Sequence, residues 1–121
     1  MSRILAIDDS TTNNALLEAV LNAKGYEVII AETPALAMNV LAEQPVDLIL
    51  LDLLFPEING FDFLAQIKKD NRYANIPVIV VSAACEQANI LKVKELGAIG
   101  FIPKPINLSY FIEQIENALI K

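Results

Sequence analysis

Residues 46–56 read Val46-Asp47-Leu48-Ile49-Leu50-Leu51-Asp52-Leu53-Leu54-Phe55-Pro56. The run predicts a strand over Asp47–Leu51, and its unbroken aliphatic stretch suits a strand covered on both faces of a sheet. A carboxylate, Asp52, stands at the point where that strand must end. Two other segments repeat the pattern. Arg3–Ile7 is nearly all aliphatic and runs into Asp8-Asp9, while Val78–Val81 runs into Ser82.

Further strands are expected at Glu27–Ala31 and Gly100–Ile102. Amphipathic stretches fill the gaps, predicting helices over Thr12–Lys24, Pro34–Glu43, Phe61–Asp70, Gln87–Leu96 and Leu108–Ile120. The last is the clearest: Leu108, Phe111, Ile112, Ile115 and Leu119 recur at helical spacing, and Glu113, Glu116 and Lys121 occupy other positions. Punctuation marks the boundaries. Thr33-Pro34 is an N-cap followed by proline at the first helical position, and Pro45 closes that helix. Gly25 and Gly97 stand where C-terminal caps belong, and Asn107 can cap the last helix.

Five βα units of this length predict a mostly parallel sheet with helices on both faces. Ligands of such sheets bind beyond the carboxyl ends of the strands, where the strand order reverses. There the chain places Asp8-Asp9, Asp52, Ser82 and, after the fifth strand, Lys104 in Phe101-Ile102-Pro103-Lys104-Pro105. The second strand offers nothing of note, which suits an edge. If the first and third strands are neighbours, three carboxylates, one hydroxyl and one ammonium converge.

Three carboxylates and a lysine leave a charge of about −2, which a hard divalent cation relieves. Mg²⁺ takes one or two carboxylates, water and phosphate oxygens in preference to a full protein cage, so the set suits it. A carboxylate can attack phosphorus to give an acyl phosphate, and phosphoryl transfer mainly needs positioning and charge neutralisation. Each residue taken singly has a plainer role. A strand-end aspartate is a turn residue, Ser82 a helix cap, Lys104 a solvated charge, Phe101 core, and the acidic pair a favourable start for a helix. Their occurrence at four of the five strand ends argues for one site.

These residues resemble the receiver (response-regulator) family over essentially the whole chain. The shared pattern is Asp8-Asp9; Asp52 in Leu51-Asp52-Leu53-Leu54-Phe55-Pro56, with Gly60 eight residues on; Ser82-Ala83-Ala84; Gly97-Ala98; Phe101; and Lys104-Pro105. The resemblance implies a flavodoxin-like, doubly wound, five-stranded parallel sheet of order 2-1-3-4-5 with five helices, and a single receiver domain over residues 1–121. It implies Asp52 as phosphoacceptor, with Mg²⁺ ligated by Asp9 and Asp52, by Asp8 through water, and by the Leu54 backbone carbonyl. Lys104 would pair with the phosphoryl group, and Lys104–Pro105 would be cis. Ser82 and Phe101 would form the switch, altering the surface of the fourth helix, fifth strand and fifth helix. The implied partners are a sensor histidine kinase or histidine phosphotransfer protein, docking around the first helix and the loop after the fifth strand. A downstream effector or a fused output domain would read the signal, and a linker to such a domain would begin at Lys121. The domain would be a signalling module that catalyses only its own phosphorylation and dephosphorylation.

Certain positions depart from the family's commoner choices. Ser82 lacks the methyl of threonine, and Phe101 lacks the hydroxyl of tyrosine. Leu54 and Ala84 stand where many relatives carry polar groups that hold a hydrolytic water, predicting slow to moderate self-dephosphorylation. The last helix has no arginine, which disfavours the arginine-paired dimer of one DNA-binding subfamily. The segment Asp8-Asp9-Ser10-Thr11-Thr12-Asn13 resembles receivers attached to hybrid kinases.

Rival classes fit less well. A flavin-mononucleotide carrier would need phosphate beside Asp8-Asp9, in a loop without glycine. A metal-dependent phosphatase would need a second acidic catalyst and a lid, for which 121 residues leave little room. A phosphorylation-independent, receiver-like interaction domain is the remaining alternative. No glycine-rich Walker loop is present, so nucleotide hydrolysis is unsupported.

The bulk properties agree. The length is that of one domain, and the 55% hydrophobic content supports a substantial core. A net charge of −6 with only two arginines, Arg3 and Arg72, argues against direct nucleic-acid binding. No run approaches the roughly 18 apolar residues of a membrane span, and the N-terminus lacks a secretory pattern. Histidine is absent, and the lone Cys85 can form no internal disulfide, so a cytoplasmic location is expected.

Overall fold

The computed structural model describes residues 2–56 and 58–120. Strands β1 (Arg3–Ile7), β2 (Glu27–Ala31), β3 (Leu48–Leu51), β4 (Val78–Ser82) and β5 (Gly100–Pro103) alternate with helices α1 (Thr11–Ala23), α2 (Pro34–Glu43), α3 (Gly60–Lys69), α4 (Gln87–Glu95) and α5 (Leu108–Leu119). All strand pairs are parallel, in the order β2-β1-β3-β4-β5. The strands expected to be covered on both faces, β1, β3 and β4, are the three central ones. β2 is an edge, as its lack of site residues suggested.

Alternation along the strands splits the core in two. Leu5, Ile7, Ile49 and Leu51 face a layer that includes Ala37 and Leu41 of α2, Leu64 and Ile67 of α3, and Val93 of α4. Ile4, Ala6, Leu48 and Leu50 face Leu17 and Leu21 of α1 and Phe111 and Ile115 of α5. A strand with both faces in hydrocarbon leaves no place for polar side chains until it leaves the core, so polar chemistry is pushed to the strand ends.

Side-chain caps start four helices. Ser10, Thr33, Asn59 and Asn107 accept from the N–H groups of Asn13, Leu36, Phe61 and Tyr110. Gly25 and Gly97 follow α1 and α4 with φ of 89° and 109°, the left-handed conformation that a side chain resists. Element boundaries move by a residue or so from the sequence expectations, for visible reasons. Ser10 is the cap of α1, so the helix starts at Thr11 and not Thr12. β4 continues through Ser82 because that residue still pairs with Pro103, which lengthens β5 as well. Lys121, expected beside the end of the last helix, lies outside the described residues.

At the amino end of the sheet Arg3 ties three segments together. Its guanidinium pairs with Glu27 and donates to the Pro45 carbonyl, and its backbone N–H donates to Asp47. Among the described residues, no helix is long and apolar enough to cross a membrane.

Candidate functional site

The backbone ladder runs one step past the strands into the site. The Asp8 N–H donates to the Ala31 carbonyl, that of Asp52 to Ile7, and that of Lys104 to Ser82. Because Ile7 pairs with Leu51, the next residues on the two neighbouring strands are Asp8 and Asp52. Their carboxylates are therefore brought together by register alone. Each has an oxygen within 4.8 Å of the other's and of one on Asp9. Asp8 and Asp52 are buried, at 3% and 5% exposure, while Asp9 is open to solvent.

Buried carboxylates must be hydrogen-bonded. Asp52 Oδ1 accepts from the N–H groups of Leu53 (2.7 Å) and Leu54 (3.2 Å). Asp8 Oδ1 accepts from Ser10 N (2.9 Å), and its Oδ2 accepts from Asn13 Nδ2 (2.9 Å) and Lys104 Nζ (2.7 Å). Lys104 also reaches Asp52 Oδ2 at 3.3 Å. Burial acts to lower the Lys104 pKa, but the bonds and charges of Asp8 and Asp52 outweigh it, and the net shift is upward. Lys104 is thus the positive pole of an anionic cleft and not a solvated charge.

Ser82 is completely buried at the end of β4, and its Oγ accepts from Ala84 N at 3.2 Å. It does not cap α4, which begins five residues later without any side-chain cap. Phe101, paired in register with Val80 on the adjacent strand, is 7% exposed within the core layer that contains Val93. Lys104–Pro105 is cis. Leu54 makes an isolated bridge with Asn59, and the residue is 54% exposed. Its N–H contacts Asp52. Leu54, Phe55, Asn59, Phe61, Ala84 and Asn89 line a groove of about 450 Å³ beside the cleft.

The donor set fits a hard divalent cation. Among the described residues three carboxylates converge against one ammonium, and the exposed Asp9 can meet an ion at low desolvation cost. Some supporting residues escaped the sequence reading. Asn13 and Asn14 bind Asp8; Asn13 stands in the Asp8–Asn13 segment quoted above, but nothing local in the sequence shows that either amide meets Asp8. Gly60 was noted only as part of a spacing. Its reason is contact: a Cβ there would lie 2.5 Å from Leu53 Cα and 2.7 Å from Leu53 O, so α3 starts directly against the residue after Asp52.

Comparison with known proteins gives one answer. The response regulator receiver domain model matches residues 4–116. The polar-differentiation response regulator DivK of Brucella ovis is 31% identical over 116 residues, spanning 96% of this chain and 94% of that protein. Among solved structures, the non-phosphorylated HemR receiver domain of Leptospira biflexa is similar at a TM-score of 0.90 and 32% identity, covering 100% of this chain and 96% of its own. The Vibrio cholerae chemotaxis protein CheY4 is similar at a TM-score of 0.91 and 25% identity, covering 98% and 99%.

Proposed function

The chain belongs to the response regulator receiver domain family, and from that premise we propose that Asp52 accepts a phosphoryl group from the histidine of a kinase or phosphotransfer protein. The family is one of signalling domains in two-component systems. The observation that carries the finer reading is the convergence of Asp8, Asp9 and Asp52 with the ammonium of Lys104.

Asp9 and Asp52 would hold Mg²⁺ directly. Asp8, already bonded to three donors, would act through water, and the Leu54 carbonyl would complete the protein's share. When bound, the ion supplies positive charge that lets an anionic phosphoryl group approach a carboxylate. Asp52 Oδ2 is the nucleophile, since Oδ1 is held by two backbone N–H groups. Its bond to phosphorus forms as the donor's nitrogen–phosphorus bond breaks, with the electron pair staying on the histidine. Lys104 moves from the carboxylates to the phosphoryl oxygens.

The Ser82 hydroxyl then exchanges its bond from Ala84 for one to the phosphoryl group. Phe101 is already inside, so the movement of Ser82 favours an existing ring position and biases the face formed by α4, β5 and α5. The partners in this reading are a histidine kinase or phosphotransfer protein upstream and an effector or fused output domain downstream, in the cytoplasm. Catalysis is limited to the domain's own phosphorylation and dephosphorylation.

The test is incubation with acetyl phosphate, with and without Mg²⁺, followed by intact mass, beside an Asp52→Asn control. One phosphoryl addition requiring both Mg²⁺ and Asp52 is expected. No addition to the folded protein would overturn the reading in favour of signalling by protein contact alone.

A further inference from the structure

Two consecutive asparagines in the first turn of α1 grip one residue by different atoms. Asn13 Nδ2 donates to Asp8 Oδ2 at 2.9 Å, and Asn14 Nδ2 donates to the Asp8 backbone carbonyl at 2.8 Å. Asn14 is buried, and its Oδ1 has no hydrogen-bond partner among the described residues. An unpaired buried acceptor is destabilising. A helix that keeps such a group gains something from the amide's other end, which here is the fixed position of the Asp8 main chain.

Asn13 acts on the carboxylate itself. Among the described residues Asp8 Oδ2 has two donors, neutral Asn13 and cationic Lys104. Lys104 is shared with Asp52, at a longer distance. Once Asp52 carries a phosphoryl group, the greater negative charge there draws Lys104 away from Asp8. Asp8 Oδ2 is then left with Asn13. A lysine at this position would hold Asp8 but cancel the charge that attracts a cation. An aspartate would keep the size but supply no donor and add a fourth carboxylate. An amide holds the orientation and leaves the charge unchanged.

We infer that Asn13 is a positioning residue for phosphoryl transfer, holding the Asp8 carboxylate in place so that Lys104 can leave it for Asp52. The inference rests on the receiver reading above and deepens it.

The experiment compares the whole chain with its Asn13→Ala and Asn13→Asp variants. Calorimetric titration with Mg²⁺ alone, without phosphodonor, is the first readout. Asn13→Ala is expected to weaken Mg²⁺ binding about tenfold, the usual scale for losing an outer-shell partner. Asn13→Asp, with its added charge, is expected to bind Mg²⁺ at least as tightly as the unchanged protein. The second readout is the rate of phosphorylation by acetyl phosphate at saturating Mg²⁺, where both variants are expected to be slower, because both lose the donor. Opposite effects on affinity with a shared loss of rate separate positioning from general damage to the fold. Unchanged affinity and rate in Asn13→Ala would overturn the inference, as would equal loss of affinity in the two variants. If the unchanged protein takes up no phosphoryl group, the receiver reading fails. The Mg²⁺ titration still decides whether Asn13 positions Asp8.

Discussion

The Lys104 ammonium lies 2.7 Å from Asp8 Oδ2, nearer than the 3.3 Å that separates it from the phosphoacceptor candidate Asp52. Before phosphorylation, then, the cation that would stabilise the phosphoryl group is held mainly by a neighbouring carboxylate. A metal ion held by the same carboxylates would add its own positive charge beside Lys104, so the two cations would oppose one another.

That opposition can be measured. Lys104→Met leaves two buried carboxylates without their ammonium and is expected to destabilise the metal-free protein by roughly 2 kcal/mol, softened by the N–H groups that remain on Asp8 and Asp52. Mg²⁺ is expected to bind the variant more tightly, because a like charge is gone. Thermal denaturation should therefore show a larger Mg²⁺-induced rise in Tm for Lys104→Met than for the unchanged chain. Equal rises would mean that Lys104 and the metal do not compete.

The same pair fixes the sign of an alkaline pH dependence. The Lys104 pKa is raised above its ordinary 10.5, because Asp8 and Asp52 together outweigh the opposing effect of burial. A raised folded-state pKa gives stability that is fully present below the unfolded value and is lost as pH climbs through the folded one. The stability difference between the unchanged chain and Lys104→Met, measured by urea unfolding without metal, is expected to be constant up to about pH 10 and to shrink beyond 10.5. A difference that shrinks between pH 6 and 9 would contradict this assignment.

Two glycines should respond differently to alanine. At Gly60 the new Cβ would meet the Leu53 backbone at 2.5 Å, and backbone cannot move aside cheaply. Gly60→Ala is expected to cost about 2 kcal/mol, as overpacking does, and to slow phosphorylation, since the Leu53 and Leu54 N–H groups hold Asp52. At Gly25 no atom of the described residues lies within 4 Å of the new Cβ, and the φ of 89° is what opposes the change. Gly25→Ala is expected to cost about 1 kcal/mol and leave phosphorylation unaltered. Chemical denaturation and acetyl phosphate kinetics on both variants check the contrast.

The groove beside Asp52 bears on the lifetime of the phosphoryl group. The Leu54 and Ala84 side chains offer no polar atom to hold an attacking water, and Leu54, which lines the groove, is half exposed. The phosphorylated protein is expected to persist well beyond seconds, and Leu54→Asn to shorten its lifetime several-fold. Loss of the phosphoryl mass over time, followed in both proteins at one Mg²⁺ concentration, checks this. A lifetime of seconds in the unchanged chain would count against it.

Much of this was legible in the chain itself. The aliphatic runs ending at Ile7, Leu51 and Val81, the caps at Thr33 and Asn107 and the glycines at 25 and 97 are local signals, because the period of a strand or helix and the geometry of a cap involve only near neighbours in sequence. They determined the order and kind of the elements and put carboxylates at strand ends. The motifs then pointed to a family and, through it, to the strand order. Only the tertiary structure decided which atoms meet. The pairing of Ile7 with Leu51 that sets Asp8 beside Asp52, the contact of Gly60 with Leu53, the grip of Asn13 on Asp8 and the place of Lys104 between two carboxylates join residues up to 96 positions apart. Such contacts have no local period. They follow from how five helices close over two faces of one sheet, and a single sequence carries that only as packing not yet carried out.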